Sequence, residues 1–150
     1  MGFIWYGPML FQKAWMKEMG FTEESLKGGN MALIFGLSYV LSFLIAGLLQ
    51  TLVIHQFGAQ SVLMGEPGFT EGTGEAFTYF QNFLATYGDR FRTFGHGALH
   101  GAMVGLLIGL PIIGTNAMFK RKTLKYVIIN AGYWTVTLAL MGGVLCQSVF

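Results

Sequence analysis

The chain has 150 residues, of which 53% are hydrophobic, 15% aromatic and only 11% charged, and its mean hydropathy is positive. A soluble domain carries about 25% charged residues, so disorder and a soluble monomer are both excluded: disorder needs the opposite balance, and so few charges cannot cover so small a globule. The net charge of +2 comes without a basic run interleaved with aromatics, which leaves no nucleic-acid footprint, and the single cysteine, Cys146, excludes an intramolecular disulfide.

Residues 1–12 are apolar and aromatic but too short to cross a bilayer, and the opening MGFIWYGPML has neither a basic n-region nor a small-residue cleavage site. Trp5 and Tyr6 read as interfacial anchors, and Pro8 breaks any helix arriving from upstream. An amphipathic stretch follows, KAWMKEMGFTEESLK, with Lys13, Lys17, Glu18, Glu23, Glu24 and Lys27 facing water. Thr22 is placed to cap a short helical turn that Gly28 and Gly29 end.

No Asp, Glu, Lys or Arg lies between Lys27 and Glu66, from Thr93 to Phe119, or from Tyr126 to Phe150. A span needs about 20 apolar residues to cross about 30 Å of hydrocarbon, and each run is long enough. The first span is expected over Met31–Ile54. In the connection 55–94, the part around GEPGFTEGTGE reads as loop, whereas Phe77, Phe80, Phe83, Leu84 and Tyr87 recur at three- and four-residue spacing. That spacing predicts an amphipathic aromatic helix over about 75–88, lying on the membrane surface or packed on the spans. The second span is expected over His96–Phe119, with a kink at Pro111, and the third over Tyr126–Val149. Lys13, Lys17 and Lys27 with Lys120, Arg121, Lys122 and Lys125 outnumber Arg90 and Arg92. The positive-inside bias therefore places residues 13–30 and 120–125 in the cytoplasm, and residues 55–94 and the C-terminus outside.

Gly97, Gly101, Gly105 and Gly109 recur every four residues and form a groove down one face of the second span. Ser38, Ser42 and Ala46 (then Gln50) on the first span, and Ala131, Thr135, Ala139 and Gly143 on the third, make matching small-residue stripes. Close approach through such residues replaces the hydrophobic drive that lipid does not supply. Whether the grooves meet within one chain or between chains stays open.

His96 and His100 are four apart on the outer end of the second span, and His55 stands at the same level at the end of the first. Three neutral imidazoles at one depth are a candidate set for zinc, copper or iron, with Glu66, Glu71, Glu75 or Asp89 on the same side as a carboxylate source. The bland alternative is hydrogen bonding to headgroups or loop carbonyls. Two histidines on one helix face cannot ligate opposite sides of a porphyrin, which argues against haem. Asn116 and Asn130 read as interhelical hydrogen-bonding residues. Arg90 and Arg92 suit lipid headgroups or Asp89, and the basic turn suits anionic lipid. There is no phosphate loop, no nucleophile with a base at sensible spacing and no ionisable residue in mid-membrane, which argues against proton-coupled transport.

The opening WYGPMLFQKAWMKEMG, the segment HGALHG, the run GLPIIGTNAMFKRK and the later NAGYW resemble a bacterial family of small integral membrane proteins described only as domain of unknown function 1761. The resemblance covers most of the chain except the 55–94 connection. It implies a multi-span protein of the cytoplasmic membrane, usually with four spans, and carries no activity or catalytic residues with it. Members have a complete span before the WYGP-type motif, where only Met1–Ile4 stand here. The expectation is that the numbering starts inside a longer reading frame or that most of that helix is lost.

The sequence thus predicts an all-α polytopic membrane bundle in one domain, with three complete spans, an N-terminal helical piece and an outward aromatic helix. Its thin core suggests a homo-oligomer or a place in a larger membrane complex, with lipids as further partners. The leading functional reading is a non-catalytic, self-associating or accessory membrane subunit without a cofactor. The alternatives are a metal-dependent enzyme or metal carrier using His55, His96 and His100, and an oligomeric channel or exporter.

Overall fold

A computed structural model describes residues 1–148, and every described element is helical. Val149 and Phe150, the end of the expected third span and the C-terminus, lie outside the described residues. Helices α1 (Gly2–Trp5) and α2 (Gln12–Met19) form the N-terminal segment. Gly20 ends α2 in the left-handed conformation (φ 73°) that a side chain resists. A 3₁₀ turn at Ser25–Gly28 follows, where Thr22 and Ser25 exchange hydrogen bonds through their hydroxyls and backbones.

The first span is α3 (Met31–Val53). Asn30 caps it by accepting from the Leu33 N–H, as expected of a short polar side chain facing the unpaired donors of a helix start. The connection after it is not all loop: α4 (Gln56–Leu63) precedes the glycine-rich turn and α5 (Gly74–Tyr87) follows it. The aromatic spacing of α5 is realised as a ridge in which Phe69, Phe80, Phe83 and Tyr87 contact one another in succession, with ring centroids 5.5–6.3 Å apart.

The second span is continuous from Phe94 to Phe119 but not uniformly α-helical. Helix α6 (Phe94–Val104) passes into π-helical turns at Gly105–Gly109 and then into α7 (Leu110–Phe119). Pro111 has no N–H for the carbonyl four residues back, and its ring would collide with that carbonyl. Widening the preceding turn relieves both, so the expected disruption at Pro111 takes the form of a π segment. The third span is α8 (Leu124–Ser148). These three helices are long and apolar enough to cross a membrane.

The chain crosses the bundle three times, so its two ends differ. At one end the N-terminal segment lies on α8 and the basic turn: the Trp5 indole donates to the Ile129 carbonyl, Tyr6 Oη donates to Asn130 Oδ1, and Lys122 Nζ donates to the Glu18 carbonyl. At the other end lie the buried residues Leu49, Val53, Ile54 and Cys146, with Leu138 beneath them. Between these ends α3 is bare. Every residue from Met31 to Leu41 is exposed, and Phe35, Phe43 and Leu44 leave about two-thirds of their surface uncovered. In water such a face would drive aggregation; in hydrocarbon it costs nothing.

Candidate metal centre

The histidines are brought together by two helix ends and a strained loop. Helix α3 stops where Ile54 turns extended (φ −110°, ψ 101°), and His55 then stands immediately before α4. Thr93, also extended, caps α6 by accepting the His96 N–H, which starts that helix so that His96 and His100 share one face. Gln56 is buried, and its Nε2 approaches the carbonyls of Tyr87, Gly88 and Arg90 at 2.8–3.1 Å. The end of α5 is thereby fastened to the end of α3. Cys146 is fully buried, with Sγ 3.4 Å from the carbonyl oxygens of Val53 and Phe91, while its own carbonyl accepts from Arg92 Nε at 2.8 Å. Carbonyls freed at the helix ends are thus paired across all three spans, as buried backbone groups must be.

Within this frame the three imidazoles form one cluster. The His55 ring centroid lies 5.0 Å from those of both His96 and His100, which are themselves 4.5 Å apart. Nε2 of His55 and Nε2 of His96 are 2.9 Å apart, so one of them carries the proton that joins them. One ligand nitrogen from each ring can be chosen so that all lie within 4.8 Å of one another. Three nitrogens bound to a tetrahedral ion at 2.0–2.1 Å sit about 3.4 Å apart, against up to 4.8 Å in this cluster. His55 is exposed and the other two are half-buried, which leaves the centre open on one side.

Phe91 is the residue that sequence reasoning missed. Its φ is 64°, a left-handed conformation that costs a β-carbon-bearing residue about 1–2 kcal/mol. Its ring stacks on His96 at 5.0 Å and 20° and meets His55 edge-on at 6.2 Å. Gln56 was equally unmarked. Its only signal was its place directly after a histidine at a span end.

None of the four candidate carboxylates joins the cluster: Glu66 and Glu75 line a separate cleft, Glu71 accepts from the Thr70 hydroxyl, and Asp89 lines a cavity with Gln56 and Arg92. Arg90 lies over the Tyr87 and Phe91 rings instead. Gly97, Gly101 and Gly105 face α8. A β-carbon would lie 2.2 Å from the Gly142 carbonyl oxygen at Gly97, 2.0 Å from the Leu138 carbonyl oxygen at Gly101 and 2.5 Å from Thr135 Cα at Gly105. Gly109 meets nothing nearer than the Val104 carbonyl at 4.0 Å. On α8, Ala131 and Gly143 are buried and Thr135 and Ala139 half-buried; on α3, Ser38 is exposed and Ser42 and Ala46 half-buried. Asn130 accepts from Tyr6, whereas Asn116 is exposed.

No curated protein and no solved structure matches this chain. The model of a family described as protein of unknown function (DUF1761) matches residues 1–146, nearly the whole chain, and the chain belongs to that family.

Proposed function

For this member of a family without an assigned activity, we propose an integral membrane metalloprotein that holds one divalent transition-metal ion on His55, His96 and His100. The observation that carries the reading is the convergence of three imidazoles, one of them 41 residues from the next in sequence, to within 4.8 Å at their ligand atoms. Imidazole suits zinc, copper, iron and nickel, and three protein ligands leave a fourth position for water or a substrate. An ion so held would supply Lewis-acid chemistry and would lower the pKa of a water at the fourth position. The excess of Lys and Arg at the opposite end supports an orientation with this centre on the outer side of a bacterial cytoplasmic membrane. Purified in mild detergent after growth with trace metals, the protein is expected to carry one transition-metal ion per chain. Replacing all three histidines by alanine abolishes this; absence of metal from the parent, or its retention in the triple variant, refutes the reading.

A second reading, self-association as a membrane subunit, is favoured by the uncovered face of α3 over Met31–Leu41. Lipid alone satisfies that face, so the reading needs a discrete oligomer in detergent that Ser38→Leu or Ser42→Leu disperses. A monodisperse parent monomer contradicts it.

A further inference from the structure

His55, the exposed member of the histidine cluster, also lines a cleft of about 410 Å³ together with Gln56, Phe83, Tyr87, Arg90 and Phe91. Resting on the metal reading, we infer that this cleft takes an oxyanion carried on an apolar body, with one oxygen on the open coordination position and another facing the Arg90 guanidinium.

Charge is the first argument. All three ligands are neutral imidazoles, and the cluster that can hold a metal contains no carboxylate among the described residues. A divalent ion there keeps its full charge, unlike one in a site that includes Asp or Glu. Arg90 adds a further positive charge on the same cleft wall. Its Cζ lies 5.5 Å from the Phe91 ring centroid and 6.0 Å from that of Tyr87, and Phe91 in turn stacks on His96. Phe91 therefore contacts both the guanidinium and the cluster. Two cationic centres facing one cavity need an anion with oxygens in more than one direction, which a carboxylate, phosphonate or phosphate supplies.

The walls give the second argument. Phe83, Tyr87 and Phe91 offer ring surface, and Gln56 already directs its amide N–H groups to the carbonyls of Tyr87, Gly88 and Arg90. Inorganic phosphate would leave those rings in water, whereas an aryl or acyl body covers them. The cleft adjoins the start of the second span, so the same chemistry is available from an anionic lipid headgroup or from a small amphiphilic acid in solution.

The test uses the full-length protein in non-ionic detergent, loaded with Co²⁺ and titrated with phenylphosphonate or inorganic phosphate while the visible absorption of the ion is followed. Phenylphosphonate is expected to shift the spectrum and to bind at least about tenfold more tightly than phosphate. Arg90→Gln should retain one Co²⁺ per chain yet bind phenylphosphonate about tenfold more weakly or worse, and Arg90→Lys should recover part of the loss. Phe83→Ala should weaken phenylphosphonate and leave phosphate unchanged. In nanodiscs, a shift produced by phosphatidylglycerol alone assigns the anion to the membrane; a shift that still needs added phenylphosphonate assigns it to solution. Bound Co²⁺ with a spectrum indifferent to both anions, or Arg90→Gln titrating like the parent, overturns the inference and leaves the metal reading standing. Failure to bind Co²⁺ overturns both.

Discussion

Phe91 and Tyr6 show how much a single side chain decides at each end of the bundle. Phe91 holds a left-handed backbone because the Cys146 thiol and the Thr93 N–H both reach its carbonyl, and Gln56 fixes the residue before it. Phe91→Gly removes the backbone strain together with the ring that braces His96. Overall stability should change by less than about 1 kcal/mol, while metal affinity, read by competition with a chelator, falls by about tenfold as for other groups that orient a metal ligand. Unchanged affinity would reduce Phe91 to a bystander. At the other end, burial, followed by the neighbouring phenols of Tyr133 and Tyr126, pushes the ionisation of Tyr6 well above its ordinary value of 10. Folding against Asn130 is therefore indifferent to pH below about 10 and loses stability above it, because the undocked phenol then ionises and the docked one does not. Tyr6→Phe should cost about 1 kcal/mol at neutral pH and flatten that alkaline loss in thermal melts; a melt as steep as the parent's above pH 10 would place the titration elsewhere. The histidine triad was legible because a four-residue spacing and a shared depth are written in the sequence. Phe91 was not, since its residue type opposes the conformation that tertiary hydrogen bonds impose on it.

Helices α6 and α8 approach so closely that their glycines leave no room for a methyl group at Gly97 or Gly101. Gly101→Ala should lower stability by about 1–3 kcal/mol through overpacking against backbone, which cannot rotate away. Gly109→Ala, with no neighbour from another helix within 4 Å, should be neutral or slightly stabilising through helix propensity. Equal thermal shifts for the two variants would remove the distinction. The three spans and α5 could be read in advance because long charge-free runs and aromatic spacing at three and four residues are strong signals. Helix α4 escaped because eight residues with Gly58 among them carry no apolar stripe. The π segment escaped too: Pro111 announces a disturbance but not which turn absorbs it.

The molecule as a whole presents an apolar exterior over its three spans and gathers its polar contacts at the two ends. Alternate crossings put residues 13–30 and 120–125 at one end and residues 55–93 at the other, and the contacts of Glu18 with Lys122 and Thr123 hold the first group together. Cys146 is fully buried, so cysteines introduced at Ser25 and Thr70 can be labelled without background. Thr70→Cys is expected to react with an impermeant maleimide on intact cells, and Ser25→Cys only after lysis; the reverse pattern would invert the topology. The count of basic residues sets the orientation that these labels test, but no count could anticipate that three chain crossings end with the imidazoles in contact. On that convergence the metal reading depends, and X-ray absorption at the metal edge of the purified protein tests it most directly. The expected spectrum has the scattering pattern of about three imidazoles at 2.0–2.1 Å; an oxygen-only shell, or no edge at stoichiometric intensity, would contradict it.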